Sequence, residues 1–179
     1  MKRYEINDMG GLLVTHGRTY LDHDTQTLFF NWSVSGVELT FCGTRLTADF
    51  CADFGEEVDG LPWDETAPRR KTWPWVAVFL DSEVVPAQIF EVSATAESHL
   101  IFESEIPQTH RIQILKRTEN TKSYVGINAF LVEGEFLPIE RSQQKRIEFV
   151  GDSITCGFGN ESTERDRAFY SAEEDGFLA

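Results

Sequence analysis

The sequence predicts a mainly β fold: an antiparallel sandwich or barrel over about residues 1–140, followed by the opening of an α/β segment over residues 141–179. Apolar and polar residues alternate in short runs between residues 12 and 132, which is typical of strands with one buried face. No part of this region keeps a helical period of about 3.6 residues. After Gly134 the pattern changes to a polar stretch and then to a short apolar strand, Ile147 to Val150, of the kind found inside parallel sheets.

Four stretches of the β region show the alternation clearly. Their apolar positions, which are expected to face the core, are Val37, Leu39 and Phe41; Leu46, Ala48 and Phe50; Val76, Val78 and Leu80; and Ile112 and Ile114. The segment 26–34 adds a run rich in Thr, Phe, Trp and Val, and these residue types favour strands. The region therefore supplies the buried positions of one sandwich domain.

Pairs of turn-forming residues are expected to separate these strands. They are Ser35-Gly36, Cys42-Gly43, Asp81-Ser82 and Glu133-Gly134. The stretch from Gly55 to Pro74 is expected to be a long loop, acidic first and basic later, with Arg69-Arg70-Lys71 at a solvated tip. A loop of this length in a compact domain is usually functional or mobile.

The charge balance argues against two classes of partner. The chain has 179 residues, with 16 Lys and Arg against 30 Asp and Glu, and a formal net charge of −14. Nucleic-acid binding needs clustered basic residues that displace counterions from phosphates, and anionic membrane surfaces attract basic segments. We therefore expect no nucleic-acid partner and no membrane partner.

The N-terminus and the cysteines bear on location and metals. No apolar run approaches the roughly 20 residues that span a bilayer, and residues 1–11 lack an apolar signal-peptide core. A cytoplasmic location is expected, or secretion if a signal has been removed. Cys42, Cys51 and Cys156 fit neither a disulfide framework nor a metal spacing, so reduced thiols are expected. Asp22-His23-Asp24 is interpreted as a solvated turn and not as a set of metal ligands. Adjacent residues on a strand point in alternate directions and therefore rarely converge on one ion.

The segment from Arg146 to Asn160 carries the chemistry. Ser153 follows a buried strand and a Gly-Asp pair, which places its hydroxyl at the carboxyl end of that strand, where sites form in α/β sheets. A tight turn there aims backbone N–H groups at the point where an oxyanion would develop on a substrate carbonyl. Gly151, Gly157 and Gly159 allow the backbone to fold closely around this serine.

Gly151-Asp152-Ser153-Ile154-Thr155 resembles the first motif block of the GDSL, or SGNH, hydrolases. The longer stretch through Cys156-Gly157-Phe158-Gly159-Asn160, together with the upstream segments 17–20 and 32–41, resembles carbohydrate esterase family 2. The resemblance implies a jelly-roll β-sandwich over residues 1–140, and the first strand and nucleophile turn of a flavodoxin-like hydrolase domain over residues 141–179. It implies removal of O-acetyl groups from sugars or xylan-type polysaccharide, with no metal and no cofactor.

By the same resemblance, Ser153 is the nucleophile and its N–H is an oxyanion donor. Asp152 either orients the site or caps the following helix, and the cap is favoured. The family's general base is a histidine in a later Asp-x-x-His, but only 26 residues follow Ser153 and none is histidine. We therefore expect a missing or separate C-terminal hydrolase segment as a partner, and a chain that is inactive alone. His110 is a remote alternative as base.

The sequence leaves two other functions open. Trp63 and Trp73 lie in or beside the expected long loop and are candidates for stacking on sugar rings, although aromatic residues also anchor sandwich cores. A sugar-stacking face would suit a non-catalytic carbohydrate-binding β-sandwich. A broad esterase or acyltransferase for other small esters would use the same Ser153 and differ only in its acceptor.

Overall fold

The computed structural model describes residues 1–58, 66–81, 83–118 and 123–139. These residues form ten β-strands and a single turn of 3₁₀ helix, Ile6–Asp8. The first five strands are β1 (Lys2–Glu5), β2 (Leu13–His16), β3 (Thr19–Asp22), β4 (Thr27–Phe30) and β5 (Gly36–Val58). The other five are β6 (Arg69–Thr72), β7 (Trp75–Leu80), β8 (Gln88–Glu91), β9 (Glu97–Lys116) and β10 (Ser123–Leu137).

Three long strands, β5, β9 and β10, hold the fold together. The strands follow the order β3-β4-β10-β5-β9-β7-β8, with β1 beside β10 and with β2 and β6 beside β5. All of these pairs are antiparallel. The first half of β5 pairs with the second half of β9, and its second half pairs with the first half of β9. The long strands therefore run through both halves of the sandwich, one containing the first half of β5 and the other its second half. The predicted mainly β, antiparallel fold is confirmed.

The long strands change register where two glycines meet. Gly43 of β5 lies opposite Gly134 of β10, beside register shifts in the pairing of β5 with both β9 and β10. A Cβ on Gly43 would collide with the carbonyl oxygen of Glu133, and Gly134 has a φ of 150° that favours glycine. The turns predicted at Cys42-Gly43 and Glu133-Gly134 are therefore wrong. Both glycines mark irregularities inside continuous strands, which is the other common role of glycine in a strand.

One core fills the space between the two halves. Val37, Leu39 and Phe41 from the first half of β5 belong to the same buried cluster as Leu46, Ala48 and Phe50 from its second half. Val76, Val78, Ile112 and Ile114 join them, while Leu80 packs at the edge. The predicted period-2 alternation is thus confirmed in every stretch that carried it, because each inward position is occupied by an apolar side chain.

The long loop predicted from Gly55 to Pro74 is partly a hairpin. β5 continues to Val58 and pairs with β6, and Gly55 lies opposite Thr72. The acidic and basic halves of the sequence face each other across this pair: Glu56 pairs with Lys71 in the register, and Arg69 lies 3.8 Å from Glu56. The basic run is therefore a strand and not a loop tip, and opposite charges on neighbouring strands favour the pairing.

The described residues end at Ile139, which packs against the core. The predicted boundary at residue 140 and the predicted hydrolase segment, residues 141–179, lie outside the described residues. Among the described residues, no helix is long and apolar enough to cross a membrane.

Candidate functional site

Three of the four predicted site residues, Ser153, Asp152 and Trp63, lie outside the described residues, and their roles stay predictions. The fourth, Trp73, is half-buried and packs against the core. Its ring meets Phe54 edge to face, with centroids 5.3 Å apart, and the Lys71 Nζ lies 3.9 Å from the Phe54 ring. These contacts anchor the β5–β6 hairpin to the core. Sugar binding by Trp73 stays a prediction.

His110, the alternative base, is held by two partners. Its Nδ1 lies 2.7 Å from Asp81 Oδ2, and its Nε2 lies 2.9 Å from Gln108 Oε1. Burial raises the pKa of Asp81, but the backbone N–H of Arg111 and the His110 ring outweigh it and leave that pKa below its ordinary value. These two contacts fix the His110 ring between β9 and Asp81, the residue that follows β7, and a role of His110 as base stays a prediction.

The other three histidines also lie in the described part of residues 1–139, here called the β-domain. His16 Nε2 lies 2.8 Å from Glu38 Oε2. His99 stacks on Phe90 with centroids 4.0 Å apart, and its Nε2 lies 2.5 Å from Glu97 Oε1, close enough for an ion pair but poorly angled for a hydrogen bond. His23 is exposed in the β3–β4 turn, where the Asp22 carboxylate accepts hydrogen bonds from Asp24 N and Thr25 Oγ1. The interpretation of Asp22-His23-Asp24 as a turn is confirmed.

Glu38 is a buried carboxylate on the outer face of β5, and its side chain is 2% exposed. It accepts hydrogen bonds from Arg111 and from Gln113 Nε2 on β9, and it contacts His16 on β2. Burial raises the pKa of Glu38, but these hydrogen bonds together outweigh it and lower that pKa below its ordinary value of 4.5. The cluster ties three neighbouring strands together through one charge.

We expect Glu38→Gln to lower the free energy of unfolding of the β-domain. The same substitution should make that free energy less dependent on pH. Since the folded pKa is lowered, the ionised carboxylate stabilises the fold fully above pH 4.5, and this contribution is lost as the pH falls through the folded pKa. At pH 7 the substitution should cost about 1–3 kcal/mol, as for hydrogen bonds to a charged group. Urea midpoints measured from pH 7 down to pH 3 test this.

The matched control for Glu38 is Glu103, which pairs with Arg45 but has a side chain 53% exposed. Glu103→Gln should change the free energy of unfolding by no more than about 1 kcal/mol, because exposed ion pairs contribute little. A Glu38→Gln protein with the same acid-induced loss of stability as the wild type would contradict the role given to Glu38.

A polar cleft of about 600 Å³ opens on the outer face of the second half of the sandwich. Its base is one register row across four strands: Glu5 on β1, Ala129 on β10, Asp49 on β5 and Ser98 on β9. Ala129 is fully buried in the middle of this row, and the polar side chains of Glu5, Asp49 and Ser98 around it line the cleft. The β3–β4 turn and Glu97 complete the wall.

A hydrogen-bonded network fixes the polar groups of this cleft. The Arg3 guanidinium contacts Asp49 and lies 2.7 Å from Glu5 Oε1, while Ser98 Oγ donates to Asp49 Oδ1 over 2.5 Å. Asn128 projects where β10 shifts register between Ile127 and Ala129, and its Nδ2 donates to Thr27 Oγ1. Carboxylates, an amide and a guanidinium arranged in this way can accept and donate hydrogen bonds to a polar ligand.

Sequence reasoning missed this cleft. The alternation along β5 indicates that Asp49 faces outward, but it does not show which residues lie beside it. Arg3, Asp49 and Ser98 are brought together by register between strands far apart in the sequence. Among the described residues, no group of three or more His, Cys, Asp or Glu is placed to hold a metal ion.

Two curated proteins are similar to most of this chain. The cellulase/esterase CelE of Acetivibrio thermocellus is 28% identical over 149 residues, which cover 83% of this chain and 16% of that protein. An acetylxylan esterase/glucomannan deacetylase of Cellvibrio japonicus is 26% identical over 142 residues, or 79% of this chain and 34% of that protein. The chain spans about a third or less of the length of these relatives.

Solved structures share the fold. A family two carbohydrate esterase from Cellvibrio japonicus superposes with a TM-score of 0.71 and 23% identity, over 97% of this chain and 47% of that one. A family two carbohydrate esterase from Clostridium thermocellum, solved in complex with cellohexaose, gives a TM-score of 0.68 and 25% identity, over 92% and 44%. The model of the family described as carbohydrate esterase 2 N-terminal matches residues 15–139, and the chain belongs to this family.

Proposed function

We propose that the protein containing this chain is a serine esterase that removes O-acetyl groups from sugars or xylan-type polysaccharide. The observation that carries the proposal is the family match over residues 15–139, followed in the same chain by the Gly151-Asp152-Ser153 block. The relative from Cellvibrio japonicus named as an acetylxylan esterase and glucomannan deacetylase supports this substrate class.

In the proposed reaction, the Ser153 hydroxyl attacks the acetyl carbonyl and transfers its proton to a histidine. Backbone N–H groups around Ser153 stabilise the oxyanion, and the sugar hydroxyl leaves with the proton. Water then attacks the acetyl-serine, which releases acetate and restores the hydroxyl. His16, His99 and His110 have partners within the β-domain. We therefore assign the general base to a histidine of a separate or later hydrolase segment.

The 179-residue chain alone is expected to hydrolyse 4-nitrophenyl acetate no faster than its Ser153→Ala variant. A serine without a positioned base is a weak nucleophile, so the background reaction should dominate in both proteins. The protein that also carries the following hydrolase segment should release acetate from acetylated xylan or glucomannan. Ser153-dependent turnover by the 179-residue chain would contradict the assignment of the base.

The same measurement separates the two alternatives. A broad esterase or acyltransferase would act on 4-nitrophenyl acetate and leave acetylated polysaccharide unchanged. A non-catalytic carbohydrate-binding β-sandwich would bind the polysaccharide with or without Ser153 and release no acetate. The polar cleft over Asp49 is the observation that favours a binding role for the β-domain.

A further inference from the structure

We propose that the β-domain carries a sugar-binding surface of its own, built from β1, β3, β4, β5, β9 and β10, that takes a neutral oligosaccharide. The proposal rests on the carbohydrate substrate class given above, but it uses no residue of the segment 141–179. Its two parts are a row of outward aromatic residues, Tyr20, Phe29 and Tyr124, here called the aromatic strip, and the polar cleft over Asp49.

The aromatic strip runs across three neighbouring strands on the outer face of the sandwich. Tyr20 of β3 lies opposite Phe29 of β4, and Phe29 lies opposite Gly126 of β10. Tyr124 precedes Gly126 by two residues and therefore lies on the same face. The alternate residues of these strands, Leu21, Leu28, Phe30, Val125 and Ile127, belong to or pack against the core, which confirms that the strip faces outward.

The two tyrosines of the strip are exposed, and Phe29 between them is half-buried. Tyr20 is 67% exposed and Tyr124 is 41% exposed. The rings of Phe29 and Tyr124 meet edge to face with centroids 5.8 Å apart, and the Tyr124 hydroxyl donates to Asp53 Oδ2 over 3.2 Å. Phe29 and Asp53 thus hold the Tyr124 ring in place. Exposed tyrosines suit ligand contact, because they offer a large area for little lost conformational freedom, and the Tyr124 ring is already held in position.

Gly126 lets the Phe29 and Thr27 side chains lie directly on the backbone of β10. A Cβ at this position would lie 2.9 Å from a ring carbon of Phe29 and 2.5 Å from the Thr27 methyl group. Any larger residue would push the Phe29 ring away from β10. The glycine is therefore a feature of the strip, since no turn or positive φ requires it within β10.

The strip and the cleft lie on the same outer face. Along β10 the Asn128 amide comes two residues after Gly126. On β5, Asp53 and Cys51 lie opposite Tyr124 and Gly126, and Asp49, two residues before Cys51, is the next outward position toward the cleft. The hydrogen bond from Asn128 to Thr27 joins β10 to the end of β4 where the two features meet. A ligand chain that lies on the strip therefore reaches the carboxylates of the cleft.

This combination fits a neutral sugar chain. Pyranose rings present apolar C–H faces, which pack on aromatic rings, and hydroxyl groups, which donate to carboxylates. Glu5, Asp24, Asp49 and Glu97 line the cleft against the one guanidinium of Arg3. That local charge, together with the net charge of −14, opposes an anionic polymer.

The spacing of the strip sets the length of the ligand. Tyr20 and Tyr124 lie on strands separated by β4, so their backbones are roughly 10 Å apart, or two interstrand spacings. One pyranose does not bridge that distance. We therefore expect an oligosaccharide to bind measurably and the corresponding monosaccharide to bind far more weakly.

The test uses the 179-residue chain and isothermal titration with cellohexaose and xylohexaose, with glucose and polygalacturonate for comparison. The double variant Tyr20→Ala/Tyr124→Ala should weaken binding of the better hexaose about tenfold or more, because both ring faces are lost. Tyr20→Phe/Tyr124→Phe keeps both rings and should stay within about threefold of the wild type. Asp49→Asn tests the cleft and should weaken binding severalfold.

The matched control is Ile106→Ala, an exposed apolar residue of β9 outside the strip, which should leave affinity unchanged. Thermal melts exclude unfolding of the double variant. Binding that survives the tyrosine double variant, or that is lost only in Trp63→Ala, would overturn the proposal, as would a wild type that binds neither hexaose. None of these results depends on acetate release through Ser153, so failure of the binding surface and failure of the proposed esterase are distinguishable.

Discussion

Replacing Ser153 with alanine in the protein that carries the complete hydrolase domain is expected to lower acetate release by about 10⁴–10⁶-fold. In the proposed mechanism the reaction passes through a covalent acetyl-serine, and alanine offers no atom to form it. Residual turnover would come from water attack assisted by oxyanion donors and by substrate binding. The loss should appear in kcat, while binding of the polysaccharide stays within a few-fold of the wild type.

Acetate release from acetylated xylan, measured alongside 4-nitrophenyl acetate hydrolysis, provides the readout. Ser162→Ala is the matched control, since it removes a hydroxyl from the same segment outside the Gly151–Asn160 block. It should leave kcat unchanged. If Ser153→Ala kept a tenth or more of the wild-type rate, Ser153 would not be the nucleophile. Asp152→Ala separates the two roles of Asp152, because a helix cap affects thermal stability and an orienting carboxylate affects kcat.

The alternation of apolar residues predicted the strands of the β-domain because a half-buried strand needs one apolar side chain at every second position. It could not predict their length. Cys42-Gly43 and Glu133-Gly134 have the composition of turns, yet each glycine lies inside a strand where two backbones approach too closely for a side chain. Only the pairing of the two strands distinguishes these cases, and the pairing is not a local property of either segment.

The outer face was harder to predict for the same reason. Arg3, Asp49 and Ser98 lie in one cleft because β1, β5 and β9 share registers, and nothing near Arg3 in the sequence indicates a partner at Asp49. Tyr20 and Tyr124 lie on the same face only once β4 has paired with both of their strands. The motif around Ser153, in contrast, consists of consecutive residues and can be recognised in the sequence alone, and its role as a nucleophile turn stays a prediction.

Phe41→Ala is expected to destabilise the β-domain by about 3–5 kcal/mol, which is the range for truncating a buried phenylalanine. Phe41 is fully buried, and its ring meets Phe102 and Phe136 with centroids 6.0 Å and 6.1 Å apart. The melting temperature should fall by roughly 6–20 °C for a chain of this size. Thermal melts and urea unfolding of the variant measure both quantities.

The position of Phe41 explains why the structure should not collapse to fill the space. Phe41 lies two residues before Gly43, close enough that a Cβ on this glycine would lie 2.7 Å from the phenylalanine ring. The Phe41 ring therefore packs directly against the point where Gly43 of β5 meets Gly134 of β10. The backbones of these two strands are already at their closest approach there. Phe41→Leu, which retains part of the volume, should cost less than Phe41→Ala, and Val84→Ala at a 91% exposed position should cost almost nothing. A loss below about 1 kcal/mol for Phe41→Ala would mean that the two halves of the sandwich can close over the cavity. The contact between Gly43 and Gly134 would then not fix the separation of the two halves.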